Sequence, residues 1–161
     1  METKKQTAGR ESLGEFAPKF AQLNDDVLFG LGSENSAYAK YFVGKSYLNP
    51  LTNPEKTVFA ANVAFEPSCR NNWHIHKASK GGGQILLCTD GEGWYQEEGS
   101  APRSLKPGDV VQIPAGVKHW HGAKKDSWFS HVAIECPGEN TSNEWLEKVD
   151  DEYYNKLNGG F

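Results

Sequence analysis

Four of the five histidines in this chain fall into two close pairs, His74-Ile75-His76 and His119-Trp120-His121, and the fifth, His131, stands alone. Side chains two residues apart on a strand leave the same face, so each pair aims two imidazoles at one side of a sheet. Imidazole is at once a ligand for borderline divalent ions and a proton carrier near neutral pH. An isolated His-x-His is better read as two satisfied core or surface residues. Two such pairs in one short, β-rich chain favour a metal centre instead.

The elements that must position these residues are short and strand-like. Runs rich in Val, Ile, Phe, Tyr and Trp span Tyr41 to Leu48, Val58 to Phe65, Trp73 to His76, Gln84 to Cys88, Gly93 to Gln96, Asp109 to Ile113 and Trp128 to Glu135. Turn formers separate them: Asn49-Pro50, Asp90-Gly91 and Lys106-Pro107-Gly108-Asp109. Many short strands at this spacing predict an all-β sandwich or barrel. Three sections are expected: a helical arm over 1–38, a β-barrel over 39–138, and a closing helix over 139–161. In the arm, Leu13, Phe16, Phe20, Leu23 and Val27 recur at helical spacing. Pro18 interrupts them, so the helix either begins near Pro18 or is kinked there. In the closing helix Ser142 would serve as N-cap, with Trp145, Leu146, Val149, Tyr153 and Leu157 as an apolar stripe packed on the barrel.

Two segments carry a family resemblance. The first runs from Cys69 through Trp73, His74 and His76 to Gly82-Gly83-Gln84 and ends in the turn Gly91-Glu92-Gly93. The second runs from Gly108-Asp109 through Pro114 and Gly116 to His119. In order, spacing and turn chemistry they resemble the two motifs of the cupin superfamily, over roughly the middle two-thirds of the chain. The resemblance implies a jelly-roll barrel (double-stranded β-helix) whose interior holds a divalent ion. Its ligands would be His74, His76, Gln84 and His119. Many cupins carry Glu where Gln84 stands, and the loop before it is lengthened by Lys77 to Lys80. Either Gln84 is a spectator in a site that has lost its metal, or its amide oxygen is a ligand, as hard and borderline ions accept. With three imidazoles and one amide the double charge of the ion is uncompensated. The centre would then be a strong Lewis acid whose trivalent state is hard to reach.

The Gln variant, with the His119 to Gly122 and Ser130 to Glu135 segments, is similar to small bacterial cupins that include manganese-dependent hydroxynitrile lyases. That similarity implies manganese as the favoured ion, with iron, nickel or zinc as other fits, and places His121 and His131 beside the open coordination positions as catalytic candidates. The residues support this independently. His121 shares a strand face with His119 without having to bind the ion, and can accept or deliver a proton. His131 shares a face with Phe129 and Ala133; if that face is interior it joins the pocket, either as a functional group or as a hydrogen-bonded core histidine. Trp73, Trp94, Trp120 and Trp128, with Tyr95, are the aromatic candidates for the pocket wall, although aromatics dominate cores whatever the function. The arm from Thr7 to Gly30 resembles the opening of a carboxymuconolactone decarboxylase domain, but the bundle that would complete such a domain does not follow it.

The bulk properties bound the partners. In 161 residues, 37% hydrophobic and 24% charged, there is room for one core, and the formal net charge of −4 offers no basic surface for nucleic acid or anionic membranes. A small-molecule substrate fits better. Cys69, Cys88 and Cys136 are an odd set without Cys-x-x-Cys spacing, so they are expected as reduced, buried thiols. Without a leader-like or ~20-residue apolar stretch the protein is expected in the cytoplasm. An arm with an apolar face that a small barrel cannot cover, and open strand edges, predict a homodimer. Three functions remain open: a Lewis-acid lyase or isomerase acting on a carbonyl or hydroxyl compound, a metal-dependent dioxygenase, and a non-enzymatic metal- or ligand-binding module.

Overall fold

The computed structural model describes residues 27–158. In chain order the strands are β1 (Ser33–Glu34), β2 (Phe42–Val43), β3 (Ser46–Pro50), β4 (Ala60–Phe65), β5 (Arg70–Asn71), β6 (His74–Lys77), β7 (Lys80–Gly81), β8 (Gln84–Gly91), β9 (Gly93–Glu97), β10 (Arg103–Leu105), β11 (Val110–Ile113), β12 (His119–Ala123), β13 (Phe129–Glu135), β14 (Gly138–Glu139) and β15 (Ser142–Trp145), followed by one helix, α1 (Asp151–Leu157). They build a six-stranded antiparallel sheet in the order β1-β3-β4-β13-β8-β11 and a second sheet in the order β10-β9-β12-β5-β2, to which β6 and β15 add through β12. The short pair β7-β14 stands apart. The all-β expectation holds, but the sheets remain two packed layers rather than a closed barrel, because no ladder joins them.

Alternation along the strands sets what lies between the layers. Phe65, Leu86, Val111, Ile113, Phe129 and Ala133 from the first sheet meet Tyr95, Leu105 and Ala123 from the second in one buried cluster. Phe129, His131 and Ala133 do share the inward face of β13, as their spacing predicts. Its register against β8 shifts between Ser130 and His131, where Thr89 has no residue opposite it in the ladder and its hydroxyl donates to the Ser130 carbonyl. Across the other layer, Gly122 of β12 lies opposite Arg70 of β5, and a Cβ on Gly122 would come within 2.5 Å of the Arg70 backbone. A side chain there would push β5, and with it Asn71, away from β12.

Both outer faces are covered. Residues 27–31 lie on the first sheet, where Val27 and Leu31 pack with Ala64, Trp128 and Tyr47, and the Gly30 carbonyl accepts from the buried Asn62 amide at 3.0 Å. On the second sheet, Trp120 packs with Val149 and Tyr154, flanked by Trp73, Trp94 and Leu157. The Arg70 guanidinium lies over the Tyr154 ring and bonds Asp151, tying α1 down.

Several expectations need correction. The closing helix is shorter than predicted. Ser142 is not its cap: Ser142–Trp145 is strand β15, paired antiparallel with β6, and α1 begins only at Asp151, capped by the Asp150 side chain accepting from the Tyr153 amide. Asn49-Pro50 and Asp90-Gly91 are not turns but the ends of β3 and β8. The run Tyr41 to Leu48 breaks at Gly44, whose φ of 86° ends β2 before β3 begins. Up to residue 26, the proposed arm helix and most of the segment that resembles a decarboxylase opening lie outside the described residues. Residues 27–38 form turns and strand β1 rather than helix. Cys69 and Cys88 are buried free thiols as expected, while Cys136 is only half-buried. Among the described residues no helix is long and apolar enough to cross a membrane.

Candidate metal centre

Two strands, β6 and β12, bring three imidazoles together. His119 opens β12 directly opposite His74, the first residue of β6, and His76 follows two residues later on the same face. One ring nitrogen from each of His74, His76 and His119 lies within 4.8 Å of the other two, a spacing at which one ion can touch all three. Ring centroids are 4.2 Å apart for His74 and His119, and 5.2 Å from His76 to each.

The opposite ring nitrogens decide whether these rings suit a metal. His74 Nδ1 lies 2.8 Å from the Asn72 carbonyl, His119 Nδ1 2.8 Å from the Val117 carbonyl, and His76 Nδ1 2.8 Å from Asn143 Oδ1. A carbonyl oxygen can only accept, so each Nδ1 carries the proton and each Nε2 is left with a bare lone pair. Nε2 of His76 and of His119 are buried with no hydrogen-bond partner. Two orphaned lone pairs converging with a third imidazole would be costly for a plain core and suit a cation. Burial above all, then the neighbouring His119, hold the protonated form of His74 well below its usual range, and burial brings His119 down to about 4. Neutral imidazole is the form that binds a metal.

Gln84, the first residue of β8, lines the same cavity of about 190 Å³. So do His121 and His131. Both are buried, and His131 Nε2 lies 3.1 Å from His121 Nδ1, so the two rings share one proton. Burial, reinforced by the approach of His131, pushes His121 well below its ordinary value, and burial brings His131 to about 3. The cavity thus brings together His74, His76, Gln84, His121 and His131, with His119 set against the His74 and His76 rings.

In the metal-free protein these lowered values make stability pH-dependent. Unfolded histidine titrates near ~6.5. Between that pH and the folded-state values of about 4 for His119 and about 3 for His131, the unfolded chain binds more protons than the folded one. Stability must then fall as pH drops through this window. The urea midpoint of the demetallated protein is expected to be lower at about pH 5 than at about pH 7. An equal or higher midpoint at the acid pH would mean that these imidazoles are not held neutral.

The wall is aromatic, but not through the expected residues. Trp73, Trp94 and Trp120 belong to the outer cluster beneath α1, Trp128 to the cluster on the opposite outer face, and Tyr95 to the core beneath His119. The wall is instead made by Tyr38, Phe42, Phe65 and Trp145, with Val63 and Ala61 of β4. Trp145 stacks on Tyr41 (centroids 4.6 Å, planes 4° apart) and on His74 (4.6 Å, 27°). Reasoning from the sequence also missed Asn71. Its Oδ1 accepts from the His121 backbone N–H at 2.9 Å, which turns its Nδ2 toward the His121 ring, 3.1 Å from Nε2. No spacing signals Asn71. For Asn143 and Trp145 a signal existed, since Asn143-Glu144-Trp145 repeats the alternation of His74-Ile75-His76.

Comparison with known proteins agrees with this geometry. Residues 61–133 match the family model described as Cupin domain. The chain is 40% identical over 120 residues to a protein of Granulicella tundricola named (R)-mandelonitrile lyase, covering 73% of this chain and 88% of that relative. A crystal structure of a cupin-like protein from Thermotoga maritima is similar at a TM-score of 0.71 and 38% identity, covering 83% of this chain and 98% of that one. A predicted oxalate decarboxylase from the same organism shares the fold alone, at a TM-score of 0.52 and 19% identity, over 58% of this chain and 82% of that one.

Proposed function

This chain belongs to the cupin family, and from that footing we propose that it is a metal-dependent lyase that cleaves α-hydroxynitriles carrying an aromatic or other apolar group. The observation that carries the reading is the pair of buried, partnerless Nε2 atoms in the histidine triad, beside a second histidine pair in the same apolar cavity. In this proposal His74, His76, Gln84 and His119 hold the ion, manganese being favoured. When bound, the ion supplies a Lewis acid toward a substrate oxygen.

The remaining work falls to the chain itself. Phe42, Val63, Phe65 and Trp145 receive the apolar group and exclude water from it. His121 takes the hydroxyl proton on Nε2, exchanging its contact with the Asn71 amide for the substrate, and His131, against Nδ1, shares the charge that results. The carbon–cyanide bond breaks with its electron pair leaving on cyanide, the alkoxide carbon becomes an aldehyde carbonyl, and the proton is passed from His121 to cyanide. The products, aldehyde and hydrogen cyanide, account for every atom of the hydroxynitrile. The likeness to a named mandelonitrile lyase supports this choice among the reactions such a site could perform.

The test is cleavage of racemic mandelonitrile, followed as release of benzaldehyde. Activity is expected in manganese-loaded protein, to vanish after chelation and dialysis, and to return with manganese. Full activity in protein shown by elemental analysis to be metal-free would exclude the proposal.

A further inference from the structure

We propose that Asn143 is a positioning residue of the metal centre: it holds His76 in the one tautomer and ring orientation that an ion can use, which makes strand β15 part of the binding site. The inference rests on the reading of the triad as a metal site. His74 and His119 are each held by the carbonyl two residues before them in the chain, a contact that forms with the local backbone. His76 has no such local support. Its Nδ1 is held by Asn143 Oδ1, 67 residues further along, and it is only half-buried where the other two rings are buried.

The register explains how this is achieved. β15 lies antiparallel to β6 with Asn143 opposite His76 and Trp145 opposite His74, so one face of β15 meets both ligands of the first pair. Asn143 bonds one ring and Trp145 stacks on the other. Glu144, between them, turns away and pairs with Lys77. Without an acceptor at Asn143, the His76 proton is free to move to Nε2, which would blind the ligand, and the ring is free to turn away from the cavity. Groups that orient metal-bound histidines in this way typically change affinity about 10–100-fold when removed.

The test reads metal affinity, not turnover: competition between the protein and a chromophoric chelator for manganese and for zinc. Asn143→Ala is expected to weaken binding about 10–100-fold. Asn143→Ser, too short to reach Nδ1, should behave alike and serves as a second truncation if the alanine variant folds poorly. Asn143→Asp keeps the acceptor and should bind at least as tightly as the unsubstituted chain. Glu144→Ala removes the ion pair on the other face of the same strand and should leave affinity unchanged. Unchanged affinity in the truncations overturns the proposal, as does an aspartate variant as weak as alanine. An equal loss in Glu144→Ala also overturns it, since strand docking rather than the amide would then be responsible. If the unsubstituted chain binds neither metal, the metal reading itself fails, a result distinct from all of these.

Discussion

Replacing His119 with alanine is expected to abolish stoichiometric binding of a divalent ion. His119 is fully buried, its Nδ1 is committed to the Val117 carbonyl, and its Nε2 has no partner but the space it shares with His74 and His76. Removing it leaves two imidazoles, one of them half-buried, and an amide, too few donors to hold a transition-metal ion against water. His74→Ala should do the same. His131→Ala should keep the metal, because the His131 ring contacts His121 rather than the triad. Elemental analysis after gel filtration measures this, with circular dichroism to confirm folding. Full metal content in a folded His119→Ala variant would remove His119 from the ligand set, and metal loss in His131→Ala would require a different set.

His121→Ala is expected to retain the metal and lose roughly 10²–10⁴-fold in turnover, the usual contribution of a positioned acid or base. His119 and His121 lie on one face of β12 with nearly parallel rings 6.0 Å apart, His121 lining the cavity and His119 set against the His74 and His76 rings that line it. Their surroundings divide the labour. His119 is grouped with His74 and His76, whereas both nitrogens of His121 already have neighbours in Asn71 and His131. Turnover of mandelonitrile per bound metal is the quantity to compare. Loss of the metal would make His121 a ligand. Full activity with the metal retained would mean that another group moves the proton, and His131 would be the next residue to replace. Stability should fall somewhat as well, since His131 would be left buried beside a void, a cost of about 1–3 kcal/mol.

Much of this site could be read from the chain because its chemistry is local in sequence. The alternation in His74-Ile75-His76 and His119-Trp120-His121, and the placing of His131 between Phe129 and Ala133, carry their own geometry: a strand sends every second side chain to one face, whatever it pairs with. Short runs between Gly, Pro and Asp likewise marked β4, β8, β9, β11 and β13 to within a few residues, because turn residues act through their own backbone preferences. Gln84 could be nominated from its place in the first motif, and it does stand at the cavity wall.

What tertiary structure decided were the partnerships. From 142 onward the apolar spacing of Trp145, Leu146, Val149, Tyr153 and Leu157 fits a helix, and it does end in one, α1. The first four residues instead became β15 because β6, paired with β12 through His119 and His74, leaves its other edge open, and a strand there satisfies backbone groups that a helix could not. That exchange moved Trp145 from a helix stripe to the pocket wall and set Asn143 against His76. The same holds for the four tryptophans expected in the pocket: which face of a sheet lies under α1 and which lies over the cavity depends on how two sheets pack, and no single strand encodes it. Asn71 reaches His121 only because Gly122 lets β5 approach β12. The local period of the chain determined which residues could act together; the pairing of distant strands determined what holds them in place.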